Sequence, residues 1–125
     1  MTIERRRYIR PESLHLLDYL VVDEHGRQGE YSMARTLNIS KGGILMETHN
    51  LLPLGQQVMI TLGLRDQLLD VIGKIVYATG SSGCYQSGVD FFHVSDNDQR
   101  ILDRYVAAFH KRSTGDLPSL PSAGY

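Results

Sequence analysis

Between Leu14 and Val94 the chain never stays apolar for long. Short runs rich in β-branched and aliphatic residues (14–23, 30–37, 44–48, 57–64 and 68–78, then Cys84 to Val94) are separated by glycine- or proline-bearing turns. Runs of this length with near period-two alternation predict strands, and their close spacing leaves no room for helical crossovers between them. The connections carry matching turn chemistry. Glu24 to Gly29 predicts a hairpin, Leu52-Pro53-Leu54-Gly55 a turn preset by proline, Arg65-Asp66-Gln67 a short link, and Gly80-Ser81-Ser82-Gly83 another turn. A chain built this way folds as a barrel or a sandwich, and closure into a barrel removes the unpaired edges that invite aggregation. Gly73 and Gly88, inside strand patterns, mark bends or bulges in the sheet.

One helix is predicted, after the last strand. Ser95-Asp96-Asn97-Asp98 has the form of a capping box with acidic residues at the positive helix end. Ile101, Leu102, Tyr105, Val106 and Phe109 then recur at helical spacing as one apolar stripe. His110-Lys111-Arg112 suit the negative end, and Ser113-Thr114-Gly115 are expected to stop the helix. The stripe is expected to seal an open side of the barrel, with a partner-binding face as the alternative. These boundaries divide the chain into an arginine-rich segment (1–13), a β-barrel (14–94), a helix (95–112) and a flexible tail (113–125).

With 125 residues the chain suits one domain, and its 42% hydrophobic and 22% charged content is that of a folded module. No run approaches the roughly 20 apolar residues of a membrane helix, so no membrane span is expected. The one cysteine, Cys84, excludes an intramolecular disulfide and fits a reducing cytoplasm. A net charge of -1 argues against a binder of nucleic-acid polymers, which needs a basic footprint over a whole face. Only the segment Glu4-Arg5-Arg6-Arg7-Tyr8-Ile9-Arg10 concentrates positive charge.

That segment has a counterpart further along. Arg6-x-x-x-Arg10 followed by Asn38-x-Ser40-x-x-Gly43 resembles the two signature motifs of the PilZ domain family, and Pro53-x-Gly55, Gly73-Lys74-Ile75-Val76 and Gly88-Val89-Asp90-Phe91 extend the resemblance over most of the chain. The resemblance implies a mainly β fold, a six-stranded antiparallel split β-barrel with a C-terminal α-helix. It also implies a bacterial receptor for the second messenger cyclic di-GMP. Arg6 and Arg10 would contact guanine and phosphate, with Arg5 as a phosphate neighbour. Asn38 and Ser40 would read a guanine edge, while Gly42, Gly43 and Gly88 would line the ligand. Arginine suits such work because its planar fork grips phosphate or the guanine O6 and N7 edge and its face stacks on a base. Asparagine stands where many members of the family carry aspartate, and its single carbonyl accepts from guanine N1 and N2 less strongly than a carboxylate.

The receptor reading carries further expectations. The arginine segment orders over the Asn38–Gly43 loop when ligand arrives, a downstream protein receives the signal, and the chain is a monomer or weak homodimer. No cofactor and no enzymatic step are expected. The competing reading is an adaptor of the same fold that binds only protein, through the helix stripe or the tail. A third, an oligonucleotide-binding barrel, is weakened by the scarcity of aromatics in the early strands. The histidines (His15, His25, His49, His93, His110) lack zinc-site spacing, and no nucleophile motif accompanies the serines. His15 and His93 are expected in strands, Asp66 and Asp70 as solvated strand-end charges, and Cys84 as a partly buried strand residue.

Overall fold

Alternation along each strand decides which residues meet in the interior. In β1 (Leu16–Val22) Leu17, Tyr19 and Val21 join the core, while Leu16, Asp18 and Leu20 stand on the other face. The same period places Ile44 and Met46 of β3 (Gly43–Thr48), Val58, Ile60 and Leu62 of β4 (Gln57–Leu64), and Leu69, Val71 and Ile75 of β5 (Gln67–Ser81) inside. The computed structural model describes residues 14–64, 67–92 and 94–116. With β2 (Gln28–Ile39) and β6 (Cys84–Phe91), the six strands close in the order β1-β2-β3-β6-β5-β4, every neighbouring pair antiparallel. No strand in this barrel has a free edge, which is the outcome expected of closure.

The turns follow their residue types. Asp23 accepts from the amides of His25 and Arg27 at 2.8 Å each, and Gly26 takes the positive φ of 80° that the reversal needs. Ser82 and Gly83, at φ of 55° and 79°, form the two-residue turn between β5 and β6. β5 therefore runs on through Ser81, three residues past its expected end at Ala78, because the tight turn lets the ladder continue to the Ser81–Cys84 pair. β6 stops at Phe91 rather than Val94, and His93 lies outside the described residues. Gly73 is required by close approach: a Cβ there would meet Val89 Cγ1 at 2.5 Å and the Asp90 carbonyl at 2.6 Å. Gly88 faces a bulge, since the β5–β6 register slips between Ile75 and Tyr77.

The helix α1 (Asp96–Asp116) starts as expected, with Ser95 Oγ accepting from the Asp98 amide at 3.2 Å. It runs past Arg112 instead of ending there, so the first residues of the expected tail are helical. Ser113, Thr114 and Gly115 are weak helix formers rather than breakers. Residues 117–125 lie outside the described residues. Leu102, Tyr105 and Phe109 are buried against the barrel, and Ile101 and Val106 pack at the margin. Fully burying three such side chains stabilises by roughly 5–9 kcal/mol gross, enough to hold the stripe on the core. The helix covers the end of the barrel where β1 begins, β2 ends and β5 begins. Tyr105 Oη donates to the Leu14 carbonyl, His110 Nε2 donates to the Ile39 carbonyl at 2.7 Å, and Arg104 Nη2 donates to Gln67 Oε1 at 3.0 Å.

Three smaller expectations fail for tertiary reasons. His15 sits in the turn before β1, where its carbonyl accepts from Thr36 N at 2.9 Å and its ring meets Phe109 at 5.1 Å. Asp70 is mid-strand and half-buried, accepting from Thr61 Oγ1 at 2.6 Å. Cys84 is exposed, because it faces away from the core at the start of β6.

Candidate ligand-binding face

The hairpin joining β2 and β3 is tighter than its sequence implies. Asn38 and Ile39 belong to β2 and Gly43 opens β3, so only Ser40, Lys41 and Gly42 lie between the strands. Turn-forming side chains here are overridden by ladder pairing, Asn38 with Leu45 and Ile39 with Ile44. The register slips between Thr36 and Asn38, leaving Leu37 as the extra residue of a bulge. Thr36 faces the interior, where its hydroxyl lies 3.5 Å from Tyr105 Oη. In a regular strand Asn38, two residues on, would face the interior too. The bulge reverses the phase, so Ile39 enters the core and Asn38 stands outside.

At the tip, Asn38 Oδ1 accepts from the Ile39 amide at 2.9 Å and Ser40 Oγ from the Gly42 amide at 3.3 Å. Ser40 N donates to the Gly43 carbonyl at 2.9 Å, and Phe91 N to the Gly42 carbonyl at 2.9 Å, which ties the tip to β6. Gly43 is held to glycine by the protein itself, since a Cβ there would lie 2.4 Å from the Val89 carbonyl oxygen. Around Gly42 nothing lies within 4 Å. Asn38 and Ser40 are half-buried, Lys41 and Gly42 exposed, and Gly43 buried. Gly88, also buried, continues the row Asn38–Leu45–Gly88–Tyr77 across four strands. Five of the eight expected site residues are thus on one hairpin and its neighbouring strand.

Arg5, Arg6 and Arg10 lie outside the described residues. The point from which they depart is fixed. Leu14 is anchored by Tyr105, and His15 by Thr36, two residues before Asn38 and at the same end of the barrel as the hairpin tip.

Other groups on this face have no role assigned from sequence. Asp90 pairs with Gly43 on one side and Lys74 on the other, on the outer face of the sheet. Tyr77 is exposed beside Gly88. Alternation could have placed both outside, but not beside the hairpin. Tyr105, which touches the anchor of the amino-terminal segment, has its hydroxyl pushed up to about 12 by burial, with the Thr36 hydrogen bond acting in the opposite sense. Farther along, Arg35 Nε lies 3.4 Å from Glu47 Oε1, and Cys84 Sγ donates to Glu47 Oε2 at 3.2 Å. The Glu47 carboxylate raises the thiol pKa, first as hydrogen-bond acceptor and then by its charge. These residues border a surface depression of about 410 Å³ with Leu16, Met33 and His49. Among the described residues, no group of three or more acidic, histidine or cysteine side chains could hold a metal ion, and no helix is long and apolar enough to cross a membrane.

The barrel is similar to several solved structures. The PilZ domain of YcgR from Escherichia coli, determined with c-di-GMP, superposes with a TM-score of 0.62 at 12% identity, over 84% of this chain and 89% of that one. MotI (DgrA), an inhibitor of motility from Bacillus subtilis, gives a TM-score of 0.60 at 16% identity over 80% of this chain and 49% of its own. The MrkH–c-di-GMP complex of K. pneumonia gives 0.53 at 16% over 87% and 52%. This chain therefore spans about half the length of MotI and MrkH. No curated protein sequence matches it. The family model described as the PilZ domain matches residues 4–108, from the arginine segment through most of the helix, and the chain belongs to the PilZ domain family.

Proposed function

We propose that this PilZ domain is a cytoplasmic receptor for cyclic di-GMP. It grips the ligand with Arg5, Arg6 and Arg10 on one side and with Asn38, Ser40, Gly42, Gly43 and Gly88 on the other. The observation that supports the reading is where the described chain begins: Leu14 and His15 are held by Tyr105 and Thr36 at the end of the barrel where the Asn38–Ser40 rim faces out. YcgR and MrkH, with the same fold, have been determined with this nucleotide. Phosphates take the guanidinium groups, and the amide and hydroxyl of the rim meet the edge of a base. The nucleotide is bound and released unchanged, so signalling rests on conformation.

The helix offers a route for that signal. Tyr105 holds the origin of the arginine segment and His110 holds the base of the hairpin, so closure of one onto the other is felt at α1. A downstream protein reads the change, with this chain acting as a monomer or weak homodimer. The adaptor reading loses one of its two surfaces, because Leu102, Tyr105 and Phe109 of the stripe are buried in the barrel. Calorimetry with cyclic di-GMP tests the proposal. Saturable heat that disappears in Arg6→Ala and in Arg10→Ala, with unchanged circular dichroism, is expected. No heat from the wild-type protein would overturn the receptor reading and leave the adaptor.

A further inference from the structure

Resting on the cyclic di-GMP reading, we infer that Asp90 is a specificity-determining residue that selects guanine by accepting from its N1–H and N2–H donors. The need for it arises at Asn38. The Watson–Crick edge of guanine offers two adjacent donors, which a carboxylate accepts best because both of its oxygens are charged acceptors. Asn38 has one carbonyl oxygen, already bonded by the Ile39 amide at 2.9 Å, and otherwise offers donors. Ser40 Oγ is likewise engaged by the Gly42 amide at 3.3 Å. The rim is poor in acceptors where the ligand is rich in donors.

Asp90 corrects that imbalance from the next strand. It is the direct cross-strand partner of Gly43, it is exposed, and its Oδ1 lies 3.6 Å from where a Gly43 Cβ would stand. The carboxylate therefore leans over the position that glycine leaves without a side chain. Ser40 at the hairpin tip, Gly43 of β3 and Asp90 of β6 form one line, joined by the Ser40 N to Gly43 O bond and the Gly43–Asp90 pair. Ser40 and Asp90 thus flank Gly43, which suits a purine hydrogen-bonded at both edges. No hydrogen bond or ion pair with another described residue occupies Asp90. Its backbone is held by the ladder on both sides, with Gly43 and with Lys74, so the group is presented from a rigid element.

The test is calorimetry with cyclic di-GMP and with the analogue carrying hypoxanthine in place of both guanines, which lacks the N2 amine. Wild type is expected to prefer the guanine ligand by about tenfold or more, the value of a hydrogen bond to a charged group. Asp90→Asn should weaken cyclic di-GMP by about tenfold and reduce the preference to within about threefold. Adding Asn38→Asp to Asp90→Asn returns a carboxylate to the face and should recover the affinity. If wild type binds and Arg6→Ala abolishes binding, but Asp90→Asn keeps both affinity and preference, the receptor reading stands and the role of Asp90 is wrong. If wild type gives no heat, the receptor reading fails and the role of Asp90 falls with it.

Discussion

Two adjacent glycines in the hairpin should respond in opposite ways to the same added methyl group. In Gly43→Ala the new Cβ would lie 2.4 Å from the Val89 carbonyl oxygen, against 3.4 Å for ordinary contact. The Cβ is fixed by the Gly43 backbone and the oxygen is backbone, so no side-chain rotation relieves the clash and β3 and β6 must separate by about 1 Å. The Phe91 N to Gly42 O bond, now 2.9 Å, then stretches beyond useful length. Losing it, with a neighbouring ladder bond, costs about 2–4 kcal/mol once partly desolvated groups are left unpaired. Gly42→Ala meets nothing within 4 Å, and the Gly42 φ is not positive, so it should be neutral or stabilise by about 0.4–1 kcal/mol through the unfolded chain. Urea denaturation of the two variants measures both effects, and calorimetry with cyclic di-GMP adds the functional half. Gly42→Ala should fold normally and bind more weakly, because its methyl group projects from the exposed tip. A Gly43→Ala protein as stable as wild type would refute the reasoning, since the close approach of β6 would not then be what requires glycine.

Tyr105→Phe removes the donor to the Leu14 carbonyl and should cost about 1–3 kcal/mol at neutral pH, read from urea midpoints. The Tyr105 hydroxyl is pushed up to about 12 from an ordinary 10, so its share of stability is complete below pH 10 and is lost as pH rises through 12. Wild type should therefore lose stability more steeply than Tyr105→Phe above pH 10, and parallel curves would exclude this tyrosine as the cause. Glu47→Gln removes the carboxylate that holds the Cys84 thiol protonated, so alkylation of Cys84 near pH 8 should speed up, as followed by mass spectrometry. Leu102→Ala, at a fully buried helix position, should destabilise by about 2–5 kcal/mol if the helix is part of the barrel core, and by little if it is a loosely attached appendage.

Much of the architecture was written locally. Gly26, Ser82-Gly83 and Pro53-x-Gly55 punctuate the chain where it turns, Gly55 taking a φ of 87°. Ser95 starts the helix, and the stripe of Leu102, Tyr105 and Phe109 is the face that meets the core. Each of these is a short-range preference that the completed fold leaves in place. The ends of β2 and β5 were misjudged for the converse reason. Asn38 and Gly80 are turn-forming residues, but ladder hydrogen bonds to β3 and β6 outweigh those preferences once the strands are paired.

The candidate site divides along the same line. Its residue types, arginines at one end and an amide, a hydroxyl and glycines later, are legible as a list because motifs record chemistry. The list could not say which way Asn38 faces, since a single unpaired residue, Leu37, reverses the strand's phase and exists only relative to β3. Nor could it place Asp90 beside Gly43, because that adjacency comes from pairing strands more than forty residues apart in the chain. By itself the sequence determined the alphabet of elements and the functional groups available, both properties of neighbours along the chain. Only the tertiary structure decided register and facing, since those are set by hydrogen bonds between distant segments and by which side chains the closed barrel can bury.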